Sequence, residues 1–210
     1  MHREHEEVDS LFWRRKGLRL WKVHSPSLPR WLFPLVVALV AITFPAFAGS
    51  ALPSAGDYAV DASSSGVGFS ITNFVVSNVD GKFTRFDGRV IVGDSLATTS
   101  VEASVDVSSI DTGIKQRDDH LRSSDYFDVA RFPRMTWKST QLWGAPDRFG
   151  MKGMLTIKGI TKEVVFAGRI TDGGVIIAET TIDRQNFGIT AGPSIKNEVR
   201  LRLSIHIAKR

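Results

Sequence analysis

Between Ser109 and Asp128 the chain gathers the side chains best able to do chemistry. Asp111-Thr112-Gly113 is followed by Asp118, Asp119 and His120, with Arg117 and Arg122 beside them. Asp-Thr-Gly suits an aspartic protease only if a second carboxylate, from another lobe or a dimer mate, shares its proton. No second copy occurs in the chain, and the triplet is also ordinary turn chemistry after a strand. Asp118-Asp119-His120 offers metal ligands, yet one imidazole beside two adjacent carboxylates does not match zinc spacing, and there is no HExxH. The alternative is that His120 orders a helix end through hydrogen bonds. Nucleophilic catalysis lacks a G-x-S-x-G elbow and any cysteine, and Gly66-Val67-Gly68 lacks the third glycine of a dinucleotide fingerprint.

These residues sit in a connection between strands, so the elements around them matter more than the motifs. The first 48 residues read as a leader. Basic residues from Arg14 to Arg30 precede an uncharged apolar run, Trp31 to Phe44. Pro45 ends that run, and Ala46-Phe47-Ala48 has the small residues of a signal-peptidase site, predicting cleavage after Ala48. The alternative is an uncleaved anchor over residues 31–48, at the lower edge of a spanning length. Residues 49–56 read as a flexible link and 57–210 as one domain. The leader also carries most of the net charge of +5: it holds seven Lys/Arg and four Asp/Glu, leaving +2 on residues 49–210. Nucleic acid is therefore not an expected partner. The absence of cysteine excludes a disulfide framework and thiol catalysis.

From Asp57 onward the hydrophobic period is two. Val101, Ala103 and Val105 alternate with Glu102 and Ser104; Met135 and Trp137 with Thr136 and Lys138; Leu201 and Leu203 with Arg200 and Arg202. Phe69 and Ile71, Val90 and Val92, Leu155 and Ile157, and Val164 and Phe166 share the dry parity of their runs, as does Ile176. Turn pairs such as Asp80-Gly81, Asp87-Gly88 and Lys158-Gly159 punctuate them. Eight or nine short antiparallel strands, each with one wet face, predict an all-β barrel or sandwich. The one helix candidate is Ile114 to Phe127, ended by Arg131-Phe132-Pro133. A barrel of about eight strands is either filled by side chains or holds one ligand, and small dry-face residues such as Ala103 and Gly153 suit both outcomes. If a ligand enters, the sixteen dry-face residues just named line it, with Phe83 and Phe86 at the mouth and Gln185 to Glu198 as the gate.

Ser109-Ile-Asp-Thr-Gly-Ile-Lys-Gln-Arg-Asp-Asp-His-Leu-Arg-Ser-Ser-Asp-Tyr-Phe-Asp128 and its continuation to Thr140 resemble the signature of the YceI-like, polyisoprenoid-binding family. Phe86 to Val92 before it, and Gly153 to Phe166 and Arg184 to Ile189 after it, resemble the family in the same order, so the resemblance spans Tyr58 to Ile207. It implies a lipocalin-like, eight-stranded antiparallel barrel with one short helix near an end. It also implies an exported, usually periplasmic, non-catalytic carrier of a long isoprenoid, a quinone or polyprenyl tail, with no other cofactor. Arg117, His120, Leu121, Arg122, Phe127 and Pro133 match the family signature and are expected to fix the strand–helix–strand connection rather than touch ligand. Asn73 and Asn186 stand where the family commonly has His and Asp, which removes titratable groups near two strand ends. Such a carrier would meet a membrane or membrane redox protein transiently, and an exposed strand would support a homodimer. Two rivals stay open: a filled barrel that binds another envelope protein, and a metal-assisted hydrolase using His120 with Asp118 or Asp119.

Overall fold

Among the described residues the alternating runs become twelve hydrogen-bonded strand segments in one antiparallel sheet. The computed structural model describes residues 51–73, 78–190 and 195–210; the expected leader and cleavage site lie outside them. In chain order the segments are β1 (Gly56–Val60), β2 (Gly66–Asn73), β3 (Asn78–Phe83), β4 (Phe86–Val92), β5 (Ser100–Asp106), β6 (Ile110–Asp111), β7 (Arg134–Ala145), β8 (Arg148–Ile157), β9 (Ile160–Ile170), β10 (Ile176–Asp183), β11 (Ile195–Ile205) and β12 (Ile207–Lys209). One helix, α1 (Lys115–Arg122), lies between β6 and β7. Among the described residues no helix is long and apolar enough to cross a membrane.

Twelve segments make eight runs, because four runs are each interrupted once. β1 pairs with β12 and β2 with β11, so the first run lies along the whole of the last. On its other edge the first run pairs with β4 and β3, which pair onward with β5 and β6. From β5 the ladder passes through β7, β8, β9 and β10 to β11. Every run thus has a neighbour on both sides, and the barrel closes, which removes the exposed edges an open sheet would carry. The interruptions face one another and are stitched together. Asp61 N donates to His206 O (2.9 Å), and His206 N to Ser65 Oγ (2.9 Å). Thr84 N donates to Ser109 O (3.2 Å), and Asp106 N to Arg85 O (3.0 Å).

The wet face carries cross-strand ion pairs such as Arg89–Asp57 (2.8 Å), Lys138–Glu102 (2.8 Å) and Arg202–Asp80 (2.7 Å). Each partner is more than a third exposed, so these pairs contribute little to stability. The dry face forms the core, and inward rings lie over glycines of adjacent strands: Phe69 over Gly81, Trp137 over Gly153, Phe149 over Gly168. A Cβ on Gly153 would stand 2.6 Å from Trp137 Cζ2 and 2.4 Å from Lys138 O. Gly153→Ala is therefore expected to destabilise the fold by about 1–3 kcal/mol through overpacking, read as a lower urea midpoint at unchanged slope.

The helix is shorter than the expected span of 114–127. Arg122 is its last residue, and Ser123 N closes it onto His120 O (3.1 Å). The following residues form a turn in which Phe127 N reaches Leu121 O (3.1 Å) and Asp128 N reaches Ser123 O (2.8 Å). Pro133 does not end the helix; its carbonyl accepts from Val107 N (2.9 Å), pinning the return into β7.

Candidate functional site

The barrel encloses an apolar cavity of about 490 Å³, within the range of small-ligand sites. It exists because the interior is unevenly filled. On β7, β8 and β9 the inward Met135, Trp137, Leu155 and Phe166 are buried, whereas Phe69, Ile71, Val101, Ala103, Val105, Leu201 and Leu203 on the facing runs keep partial exposure to it. Every expected lining residue borders this cavity except Val164.

Val164 has the inward parity but the wrong surroundings. The β9–β10 ladder ends at Glu179–Ala167. Beyond that pair the two strands separate, and Val164 lines the cleft between them with Thr180, Thr181 and Phe187. Phe83 also departs from its expected place at the mouth. It is buried in the interior, 5.7 Å from Phe69 and 6.2 Å from Phe127 between ring centroids. Phe86 is half-buried and borders the cavity.

The expected lining left out Leu142, Phe149, Met151, Ile170, Ala178 and Ile182, which also border it, although Ile170 and Ala178 share the dry parity of their runs. In β7 the reason is a register shift between Ser139 and Gln141. This bulge moves the inward parity from Trp137 to Leu142. Leu96, in a 3-10 turn after β4, and Leu52 pack toward the core at the end of the barrel opposite α1.

The polar residues of the signature do not converge. Asp118, 7 % exposed, accepts from Thr112 N (2.9 Å) and Thr112 Oγ1 (2.5 Å). Asp119 pairs outward with Lys115 (2.6 Å) and Arg122 (2.9 Å), whose hydrogen bonds and charge, led by Lys115, hold its carboxyl below the usual range. His120 turns a third way, edge-on to Tyr126 (4.9 Å) with Asp125 at 3.8 Å. Among the described residues no group of three or more His, Asp or Glu is placed to hold a metal ion. Arg117 donates to Thr112 Oγ1 and O (both 2.7 Å), and Arg122 to Ser108 O (2.9 Å) and Ile110 O (2.8 Å). The cluster thus bolts α1 across one end of the barrel, and Arg117, His120, Leu121 and Phe127 also contribute atoms to the cavity's border. Asp118→Ala would strand the Thr112 donors and is expected to cost about 1–3 kcal/mol. Hydrogen exchange should show the loss concentrated in residues 112–128.

The Gln185–Glu198 segment is only partly as expected. Arg184–Phe187 forms a 3-10 turn with Phe187 fully buried, residues 195–198 belong to β11, and 191–194 lie outside the described residues. Arg184, 5 % exposed, borders the cavity while donating to Ile189 O (2.8 Å), Lys196 O (3.2 Å) and Ile195 O (3.2 Å). Asn186 is exposed; the side chain of Asn73 lies outside the described residues.

The model of the YceI-like domain matches residues 58–207. The chain belongs to the YceI-like family. Among its relatives, a UPF0312 protein of Yersinia pestis (strain Pestoides F) is 32 % identical over 185 residues, covering 81 % of this chain and 94 % of the relative. The fold matches that of Burkholderia cenocepacia BcnA with a TM-score of 0.66 at 24 % identity, over 71 % of this chain and 99 % of BcnA. It also matches a polyisoprenoid binding domain from Saccharophagus degradans, with a TM-score of 0.58 at 14 % identity, over 73 % and 98 % of the two chains. The all-β, lipocalin-like class expected from the sequence is that of these solved structures.

Proposed function

We propose that this YceI-like protein is an exported, non-catalytic carrier that sequesters the long tail of an isoprenoid inside its barrel. The observation that carries the reading is the cavity: apolar side chains from all eight runs border about 490 Å³ of interior space. A polyisoprenoid-binding domain of the same fold supports the ligand class, and the leader-like first 48 residues support export, with delivery to or from a membrane. Enclosing roughly 400–600 Å² of prenyl surface yields about 10–15 kcal/mol gross. Ordering a flexible tail and losing its free motion offset much of that. The reading requires a net affinity tight enough to extract a lipid and weak enough to release it.

Organic extraction and mass spectrometry of protein purified from its native host test this directly. A prenyl lipid approaching one per chain is expected. Protein that carries no such lipid, and takes up none from prenyl-loaded vesicles, sinks the proposal. Cell fractionation tests the export component separately.

A further inference from the structure

The two ends of the barrel are closed by different means. At the α1 end, charged side chains hold backbone carbonyls. Arg117 and Arg122 fasten the helix, and Arg184 fastens the turn after β10. Lys158 Nζ joins the two, donating to Ser124 O (3.2 Å) and Gly188 O (3.3 Å). Charge-assisted bonds of this kind are about twice as strong as neutral ones. The opposite end has a lighter cover. Leu52 and Pro53 border the cavity there and are half-buried, and Leu52 touches both apolar clusters of the interior. Residues 51–54 make no backbone–backbone hydrogen bond among the described residues. Their tie to the barrel is a neutral one: Tyr58 Oη donates to Ser54 O (2.7 Å), with Ser54 Oγ at 3.0 Å. Tyr58 lies on β1, is 7 % exposed and does not border the cavity. A stretch with no ladder bonds and few apolar contacts is where local opening costs least.

We propose that residues 51–55 are a lid: Leu52 plugs the cavity at the end opposite α1, Tyr58 latches the plug through Ser54 O, and ligand passes when the latch opens. This rests on the carrier reading and adds the route to it. The expected gate, Gln185 to Glu198, lies at the other end, since β10 runs toward α1 and its last residue, Asp183, pairs with Glu198. Opening there breaks several charge-assisted bonds at once. Opening the N-terminal stretch breaks the hydroxyl's bonds to Ser54 and lifts one leucine. An apolar side chain also makes a suitable plug, because in the closed state it continues the cavity wall. A buried phenol that merely satisfies itself on the nearest carbonyl would have no effect on ligand traffic, which separates the two readings.

The test reads rates as well as affinity. The chain has no cysteine, so Leu52→Cys in the full-length protein places a single thiol on the lid, and its alkylation rate reports opening without any ligand. Adding Tyr58→Phe should raise that rate about fivefold, the factor that one hydrogen bond of ordinary net strength supplies. With Leu52 in place, uptake of a dansylated farnesyl chain and its release into phosphatidylcholine vesicles are followed by dansyl emission. Tyr58→Phe should speed both by the same factor, leaving the dissociation constant and the circular dichroism of the barrel unchanged. Leu52→Ala, which shortens the plug and leaves the latch, should speed both as well. Transfer rates unmoved in the two variants overturn the inference and spare the carrier reading, even where alkylation quickens, since ligand then passes elsewhere. Faster release in Tyr58→Phe without faster uptake also overturns it, because that marks a ligand contact and not a latch. Wild-type protein that takes up no prenyl chain overturns both.

Discussion

Leu201→Asp should leave the barrel folded and empty. Leu201 lies on β11, borders the cavity and is half-buried, between Phe69 of β2 and Thr180 of β10 in register. In the ligand-free barrel the carboxylate faces space that water can occupy, so folding loses little beyond one apolar side chain. With a prenyl chain laid against it, the same carboxylate must shed its water or take up a proton. Either route costs about 3 kcal/mol or more, and a cost of that size is roughly a hundredfold in affinity. Lipid recovered by extraction should fall accordingly, with the circular dichroism of the barrel retained. Leu201→Met, which keeps volume and polarity, should load normally. Unchanged lipid content in a folded Leu201→Asp variant would show that the cavity is not where lipid is held.

Arg184→Met should cause the largest loss of stability of any single change on the cavity wall. The guanidinium is buried and bonds the carbonyls of Ile189, Ile195 and Lys196, tying the 3-10 turn after β10 to the first residues of β11. Methionine matches the length of the side chain but leaves those carbonyls without their donor. Each buried polar group left unpaired costs about 1–3 kcal/mol, so a total of about 3–5 kcal/mol is expected after local relaxation. Arg184→Lys restores the charge but not the planar fork that reaches several carbonyls at once, and should recover only part of the loss. Denaturant titration of the three proteins gives the ranking. If Arg184→Met matched wild type, the buried guanidinium would not be what secures that end of β11.

The two sites differ in how far they could be read from sequence, and the difference is physical. Leu201 belongs to a period-two pattern, and in a strand that period is fixed by backbone geometry. The alternation of Val101, Ala103 and Val105 therefore named inward residues before any partner strand was known. Arg184 was visible only as part of a motif, because its role depends on carbonyls brought to it by the return of β11. Asp118 is the same case: its carboxylate looked like chemistry beside His120, but the turn at Thr112 claims it.

Local pattern also fails where the ladder itself changes. The bulge between Ser139 and Gln141 reverses parity, so Leu142 faces inward although its spacing from Trp137 says otherwise. Val164 keeps its parity, yet β9 and β10 have parted at that level, and it lines their cleft instead of the cavity. Neither event leaves a local signal, since both are set by pairing between strands.

What the sequence by itself determined was the two-sided character of the strands, the antiparallel all-β class and the signature that places the chain among YceI-like proteins. Each is a property of single runs of residues. Only the tertiary structure decided that the first run closes on the last, that the barrel is hollow and that Trp137 Nε1 meets no acceptor among the described residues. Closure and hollowness are sums over eight strands, in which a glycine opposite a ring or one bulge shifts the balance between a filled core and a cavity. No window along the chain contains that sum.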